Sequence, residues 1–172
     1  MSYGLLLFIL FFSPSAFLKS YSAEEMLLYK KINDYRMSQG LKDLQLCDSM
    51  SYVAETHSMN IHQYHDFFNK ECAFHSWYPE PNAKWSSGCY EKDHNIMYSK
   101  PKEILGMKLK GYEIAHMHSL KDSECSASCS FKGWLNSSPH NAAMLEKGRK
   151  PTFKRMGVSI YKNVATVWFT DK

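Results

Sequence analysis

One histidine of this chain occupies a position where it could do chemistry, in the segment 132–145, which reads KGWLNSSPHNAAML. Ser138 is a good helix cap, because its hydroxyl can accept a hydrogen bond from an unpaired backbone amide, and Pro139 suits the first helical position. His140 is therefore predicted in the first turn, where the helix dipole disfavours imidazolium. A neutral imidazole can bind a metal or accept a proton. The alternative is a capped helix with an exposed histidine.

Three further histidines fall into patterns that suggest their surroundings. His116 and His118 would share one face of an extended strand. Two ligands make a poor metal site, so we predict a surface position for this pair. His57 lies on the apolar stripe of a predicted helix, and we expect a hydrogen-bonded core residue there rather than a ligand.

The overall charge and the motifs that are missing from the sequence exclude several functions. The net charge is +4 and the basic residues are scattered, so we predict no nucleic-acid binding. The sequence contains no HExxH, which would place two zinc ligands and a base on one helix. It also lacks GxSxG, the turn that exposes a nucleophilic serine.

The N-terminal segment is predicted to be an export signal. Residues 5–12 read LLLFILFF, an apolar run that is too short to cross a bilayer as a helix. A signal peptide over residues 1–22, cleaved near Ser22–Ala23, fits this run and the small residues after it. The alternative is a buried apolar helix. We therefore predict a secreted protein without a stable membrane span.

The five cysteines also fit a secreted protein: Cys47, Cys72, Cys89, Cys125 and Cys129. In an exported chain, two disulfides and one free thiol are the simplest expectation. The pairing cannot be read from the spacing, and the odd cysteine leaves a covalent dimer open.

Helices are predicted in the first half of the chain. Apolar stripes indicate helices over residues 24–39 and about 48–68. Ser22 and Glu25 have the spacing of a capping box for the first of them. A shorter helix is expected over residues 101–109, where a proline could begin it.

The second half of the chain ends in a predicted β-hairpin. Alternating apolar residues indicate strands over residues 156–160 and 164–169, with a turn at 161–163. Residues 69–100 and 121–130 are predicted as loops. Since 44% of the residues are hydrophobic, the chain can bury a sizeable core. Helices first and strands last indicate an α+β domain.

Four segments of the chain resemble one family. LYKKINDYRMSQGLKDLQLC resembles the opening helix of the CAP superfamily, whose domains are also called SCP domains. GYEIA is similar to the family's GENIA-type segment, and CAFHSW to its histidine segment. GWLNSSPHNAAML, followed by MGVSIY and VWF, resembles the end of bacterial and protist members. The resemblance covers about residues 24–170.

The resemblance implies a fold and a site. The fold is a three-layer α-β-α sandwich with a central antiparallel sheet, which residues 23–172 would form. Members carry a cleft with two histidines and two acidic residues. Matched by motif, His75, Glu113 and His140 would line the cleft here and hold a zinc or other divalent cation. The segment 133–136 offers no carboxylate, so one of the four cleft groups is missing.

The resemblance also implies a function class. It predicts a secreted, non-catalytic binding module whose partner is a lipid or sterol, or a host or other extracellular protein. The alternative is a metal-dependent hydrolase that uses His75, Glu113 and His140. A lipid site needs an apolar cleft, which four aromatic residues could line: Phe74, Trp77, Tyr78 and Trp85. Those aromatics could equally pack beneath their own loop.

Overall fold

A computed structural model describes residues 19–65, 72–119, 124–148 and 152–172. Within these ranges the chain forms a mixed helix-and-strand fold, in agreement with the predicted α+β class. The elements in chain order are α1 (Ala23–Ser38), β1 (Gln45–Leu46), α2 (Asp48–Tyr64), α3 (Asn95–Leu105), β2 (Tyr112–Met117), α4 (Ala127–Asn136), α5 (Ser138–Met144), β3 (Arg155–Tyr161) and β4 (Val164–Thr170).

The four strands form one sheet in the order β1-β3-β4-β2. β4 pairs antiparallel with β3 and with β2, whereas β1 pairs parallel with β3. The sheet is therefore mixed, whereas the family resemblance had predicted an antiparallel sheet. The physical reason is the long connection from β1 through the helices to β3, since a parallel pair needs a crossover of this kind.

Successive side chains of strand β4 belong to two different core clusters, because they point in opposite directions. Val167 and Phe169 pack in one apolar cluster with Leu28 of α1. Trp168, which lies between them, packs in a second cluster with Val53 of α2. The alternation in β4 thus separates two parts of the core.

Helix α2 approaches β3 closely at Gly157. A Cβ atom at this position would lie 2.1 Å from the backbone carbonyl carbon of Met50 and from the backbone nitrogen of Ser51. The Ser51 hydroxyl accepts a hydrogen bond from the backbone N–H of Val158 at 3.1 Å. A residue with a side chain would push α2 away, so glycine is needed for this packing.

The start of α1 confirms the predicted capping box. The Ser22 hydroxyl accepts from the backbone N–H of Glu25, and the Glu25 carboxylate accepts from that of Ser22. Lys19 forms ion pairs with Glu25 and Glu55, at 3.1 Å and 3.2 Å. The predicted signal peptide falls mainly on residues 1–18, which lie outside the described ranges. No helix within those ranges is long and apolar enough to cross a membrane.

The cysteines differ from the prediction of two disulfides. All five lie in described ranges, and one disulfide forms, between Cys72 and Cys89. Cys47, Cys125 and Cys129 are free. Cysteine number and spacing carry no information on which side chains folding brings together, so the expected second disulfide was wrong.

Candidate functional site

The site is built around Glu113, whose side chain is completely buried on strand β2. One carboxylate oxygen is bound by Nδ1 of His57, and the other by Nδ1 of His75 at 2.8 Å. Burial alone would raise the pKa of this carboxyl. The charge and the hydrogen bond of His57, together with those of His75, outweigh burial and hold the pKa below its ordinary value. Glu113 therefore joins two histidines as a carboxylate.

His57 enters the site from α2 and is fully buried, as its place on the apolar stripe predicted. Its Nε2 donates to the backbone carbonyl oxygen of Ser76 at 3.0 Å. Its ring stacks on the indole of Trp77, with centroids 4.0 Å apart. Sequence reasoning expected a core residue here but did not connect it with Glu113. The pattern indicates burial, and it carries no information on a partner 56 residues away.

His75 lies between the buried carboxylate and the surface, with its side chain 19% exposed. Since its Nδ1–H donates to Glu113, its Nε2 carries the lone pair whenever the ring is neutral. That lone pair can bind a cation or accept a proton. The ring packs edge-on against Tyr90, with centroids 5.1 Å apart.

His140 comes to the same place from α5. Its ring centroid lies 5.8 Å from that of His75. Burial, with a smaller repulsion from His75, lowers the pKa of His140 to about 4, although Glu113 opposes the change. His140 is therefore neutral near pH 7, as the sequence predicted. The predicted cap was wrong by one residue, because Ser137 is the N-cap and makes no side-chain capping bond.

The three predicted ligands therefore come together, but not as a tight cluster. Among the described residues, one group of three metal-binding side chains has donor atoms within 4.8 Å of each other: Cys72, Cys89 and Glu91. The two cysteines of that group are joined in the disulfide and are not free thiolates. His75, Glu113 and His140 do not meet this distance.

The donor types nevertheless fit a borderline divalent cation such as zinc. His140 offers a neutral imidazole and His75 offers its Nε2. The Glu113–His75 hydrogen bond has the form by which carboxylates orient metal-binding histidines. Both Glu113 oxygens are already engaged by imidazoles. Direct ligation by Glu113 would require one of these bonds to open.

The aromatic residues near the site are mostly structural. Trp77 is 1% exposed and belongs to the core cluster that contains Trp168. Trp85 packs against the same cluster, and Phe74 packs against the one that includes Ile61. Packing beneath the loop thus describes these side chains better than the lining of an open apolar cleft.

Comparison with known proteins places this arrangement in a known fold. No family model matches the sequence, and no curated protein matches it. An extracellular protein containing an SCP domain from Bacillus anthracis is similar in structure, with a TM-score of 0.61 and 18% identity. A cysteine-rich secretory protein from Staphylococcus aureus has a TM-score of 0.56 and 13% identity. An outer surface protein from Borrelia burgdorferi has a TM-score of 0.58 and 16% identity.

The extent of these matches differs. The first two cover 87% of this chain, and this chain spans 40% and 38% of their lengths. The Borrelia match covers 90% of this chain and 98% of the other. At such identities the likeness establishes the fold, which is that of SCP domains. It confirms the SCP-type fold that the motifs predicted, while the three-layer arrangement stays a prediction.

Proposed function

We propose that this chain, which has the SCP-domain fold, is a secreted binding protein whose cleft holds a divalent cation between His75 and His140. In this proposal residues 1–22 are an export signal and residues 23–172 form a three-layer α-β-α domain. The extracellular or surface character of the structurally similar proteins supports export, as does the Cys72–Cys89 disulfide.

The observation that carries the proposal is the meeting of His75 and His140 beside a buried carboxylate. The two rings come from a loop and from α5, and their centroids lie 5.8 Å apart. His140 is kept neutral, and His75 has its Nδ1 held by Glu113. Two neutral imidazoles with water as the remaining ligand bind zinc moderately. Glu113 acts in this proposal as the group that orients His75.

The partner is a lipid or sterol, or an extracellular protein. The burial of Trp77 and the packing of Trp85 against the core weaken the lipid alternative, because these rings would have to move to line a cleft. Exposed apolar side chains on α1 and α2 favour a protein partner instead: Met26, Leu27, Met37, Tyr52 and Met59.

Calorimetric titration of the mature chain with zinc tests the cation site. We expect one equivalent to bind to the wild type and none to a His75→Ala/His140→Ala double variant. His94→Ala is the matched control, because His94 is an exposed histidine that stacks on Tyr90 outside the pair. Binding that survives in the double variant would assign the metal to other histidines and overturn the site.

The alternative function is a metal-dependent hydrolase that uses His75, Glu113 and His140. The neutral state of His140 favours it, because a neutral imidazole near pH 7 can act as a general base. The test is turnover of an ester and peptide panel by the zinc-loaded protein. Turnover that disappears in His75→Ala would establish this function, and its absence at full zinc occupancy would exclude it for those substrates.

A further inference from the structure

A thiol and an imidazole form a second pair outside the cleft. Nε2 of His116, at the end of β2, lies 3.8 Å from Sγ of Cys129 on α4. Cys129 is exposed, whereas His116 is half-buried. A surface position was predicted for His116, and no pattern in the sequence joins it to a cysteine.

The backbone of α4 holds both members of this pair in place. The Ser126 hydroxyl accepts from the backbone N–H of Cys129 at 3.1 Å, which places the cysteine in the first turn of the helix. One turn further on, Gly133 makes room for the imidazole. A Cβ at Gly133 would lie 2.9 Å from Nδ1 of His116. The ring is thus packed against the helix that carries the thiol.

The other two free thiols have different surroundings. Cys125 is buried, its Sγ lies 2.8 Å from the Ser130 hydroxyl, and burial raises its pKa. Cys47 is half-buried, and its Sγ lies 3.3 Å from the Ser49 hydroxyl. Of the three, Cys129 alone combines exposure with a contact to an imidazole within the described part of the chain.

We propose that Cys129 and His116 form a thiol–disulfide exchange site, at which Cys129 forms a mixed disulfide with small disulfide compounds. The disulfide approaches from solvent, on the side where Cys129 is exposed. This activity uses neither His75 nor His140, although His116 is close enough to His140 to lower its pKa.

The exchange balances without any further reagent. His116 Nε2 accepts the proton of the Cys129 thiol, and the thiolate attacks one sulfur of the disulfide R–S–S–R. A new S–S bond forms between Cys129 and one R–S group as the original S–S bond breaks. The departing thiolate takes the proton from the imidazolium of His116 and leaves as R–SH. The small disulfide is the oxidant.

Burial of His116 leaves a ring lone pair available to the thiol at pH 7, although it also weakens the imidazole as a base. Burial, and then the neighbouring His118, lower the pKa of His116. The ring is therefore neutral at pH 7 and able to accept a proton. Because the thiolate is the attacking species, an adjacent base speeds the exchange at this pH.

The test follows the reaction of each free thiol with 5,5′-dithiobis(2-nitrobenzoate) at pH 7, by peptide mass mapping over time. We expect Cys129 to react first. His116→Gln should lower the reaction rate of Cys129 by about fivefold or more, since the glutamine amide cannot accept the thiol proton. Gly133→Ala should also slow it, because the added methyl displaces the ring without changing either member of the pair.

Two internal controls make the outcomes unambiguous. Cys47 should react at the same rate in every variant. Cys125 reports on folding, because it is buried and becomes reactive only if the variant opens. His94→Gln changes an exposed histidine that stacks on Tyr90 and should leave the rate of Cys129 unaltered. Unchanged Cys129 rates in folded His116→Gln and Gly133→Ala proteins would overturn the proposal, because exposure alone would then explain the reactivity.

Discussion

The imidazole of His57 lies flat on the indole of Trp77, with ring centroids 4.0 Å apart and 5° between their planes. The edge of Trp168 approaches the same imidazole at 5.8 Å between centroids. The two indoles leave His57 little freedom to turn. Glu113, which His57 binds, is therefore held in one orientation toward His75.

His57→Ala should destabilise the protein by about 3–5 kcal/mol, because it leaves the buried Glu113 carboxylate without one partner. Urea unfolding, followed by tryptophan fluorescence, measures the loss. His94→Ala, which removes an exposed imidazole from Tyr90, should cost much less. Equal losses in both variants would contradict the role of His57 as the support of Glu113.

The free energy of unfolding should fall as the pH drops from about 6.5 to about 4. In that range the unfolded chain protonates His140 while the folded chain does not, because its folded pKa is near 4. His140→Gln should lack this part of the decrease. The measurement is urea unfolding of both proteins between pH 3.5 and 7.5. This pH range extends beyond the ordinary histidine pKa and the folded pKa of His140 on either side. Parallel pH profiles would show that His140 titrates normally in the fold.

Lys100→Met should destabilise the protein by about 3 kcal/mol. The Lys100 side chain is fully buried and its Nζ donates to Ser86 and, at 2.8 Å, to Glu103. Burial lowers the pKa of Lys100 while Glu103 opposes the change, and the substitution removes the cation beside Glu103 and the donor to the Ser86 carbonyl oxygen. Lys102→Met, an exposed lysine on the same helix, is the control for thermal unfolding. A similar melting temperature for the two variants would refute the prediction.

A chain that begins at Ala23 should be less stable than one that begins at Lys19, by at least about 1 kcal/mol. The shorter chain loses the Ser22 cap and the hydrogen bond from the Tyr21 hydroxyl to Asp48, at 2.6 Å. Thermal unfolding of the two recombinant chains measures the difference, with Ser22→Ala in the longer chain as the control for the cap alone. Equal stability would contradict the prediction, since it would show that residues 19–22 do not stabilise the fold.

Local patterns were sufficient for several elements. The 3.6-residue stripes located α1 and α2, and the alternation of β3 and β4 located the hairpin, since each pattern reports which side chains face a core. The motifs that carry the family resemblance predicted that His75 and His140 line one cleft. In the structure their ring centroids lie 5.8 Å apart.

Elements that depend on distant packing could not be predicted. Pro101 was taken as the start of a helix, yet it lies inside α3, which begins at Asn95. Burial of Ile96, Met97 and Ile104 outweighs the proline, whose cost is local. Similarly, α4 begins at Ala127 within a segment predicted as loop. Buried Trp134, which donates to the carbonyl oxygen of Ala115 at 3.0 Å, anchors that helix to β2.

The two hydrogen bonds of His57 also determine how much charge the cleft carries. The Ser76 carbonyl oxygen and the Glu113 carboxylate both act as acceptors, one at each ring nitrogen. Since Glu113 is a carboxylate, both ring nitrogens of His57 donate, and the pair has no net charge. A cation between His75 and His140 would therefore be held by lone pairs and not by a negative field, so its affinity should depend little on ionic strength.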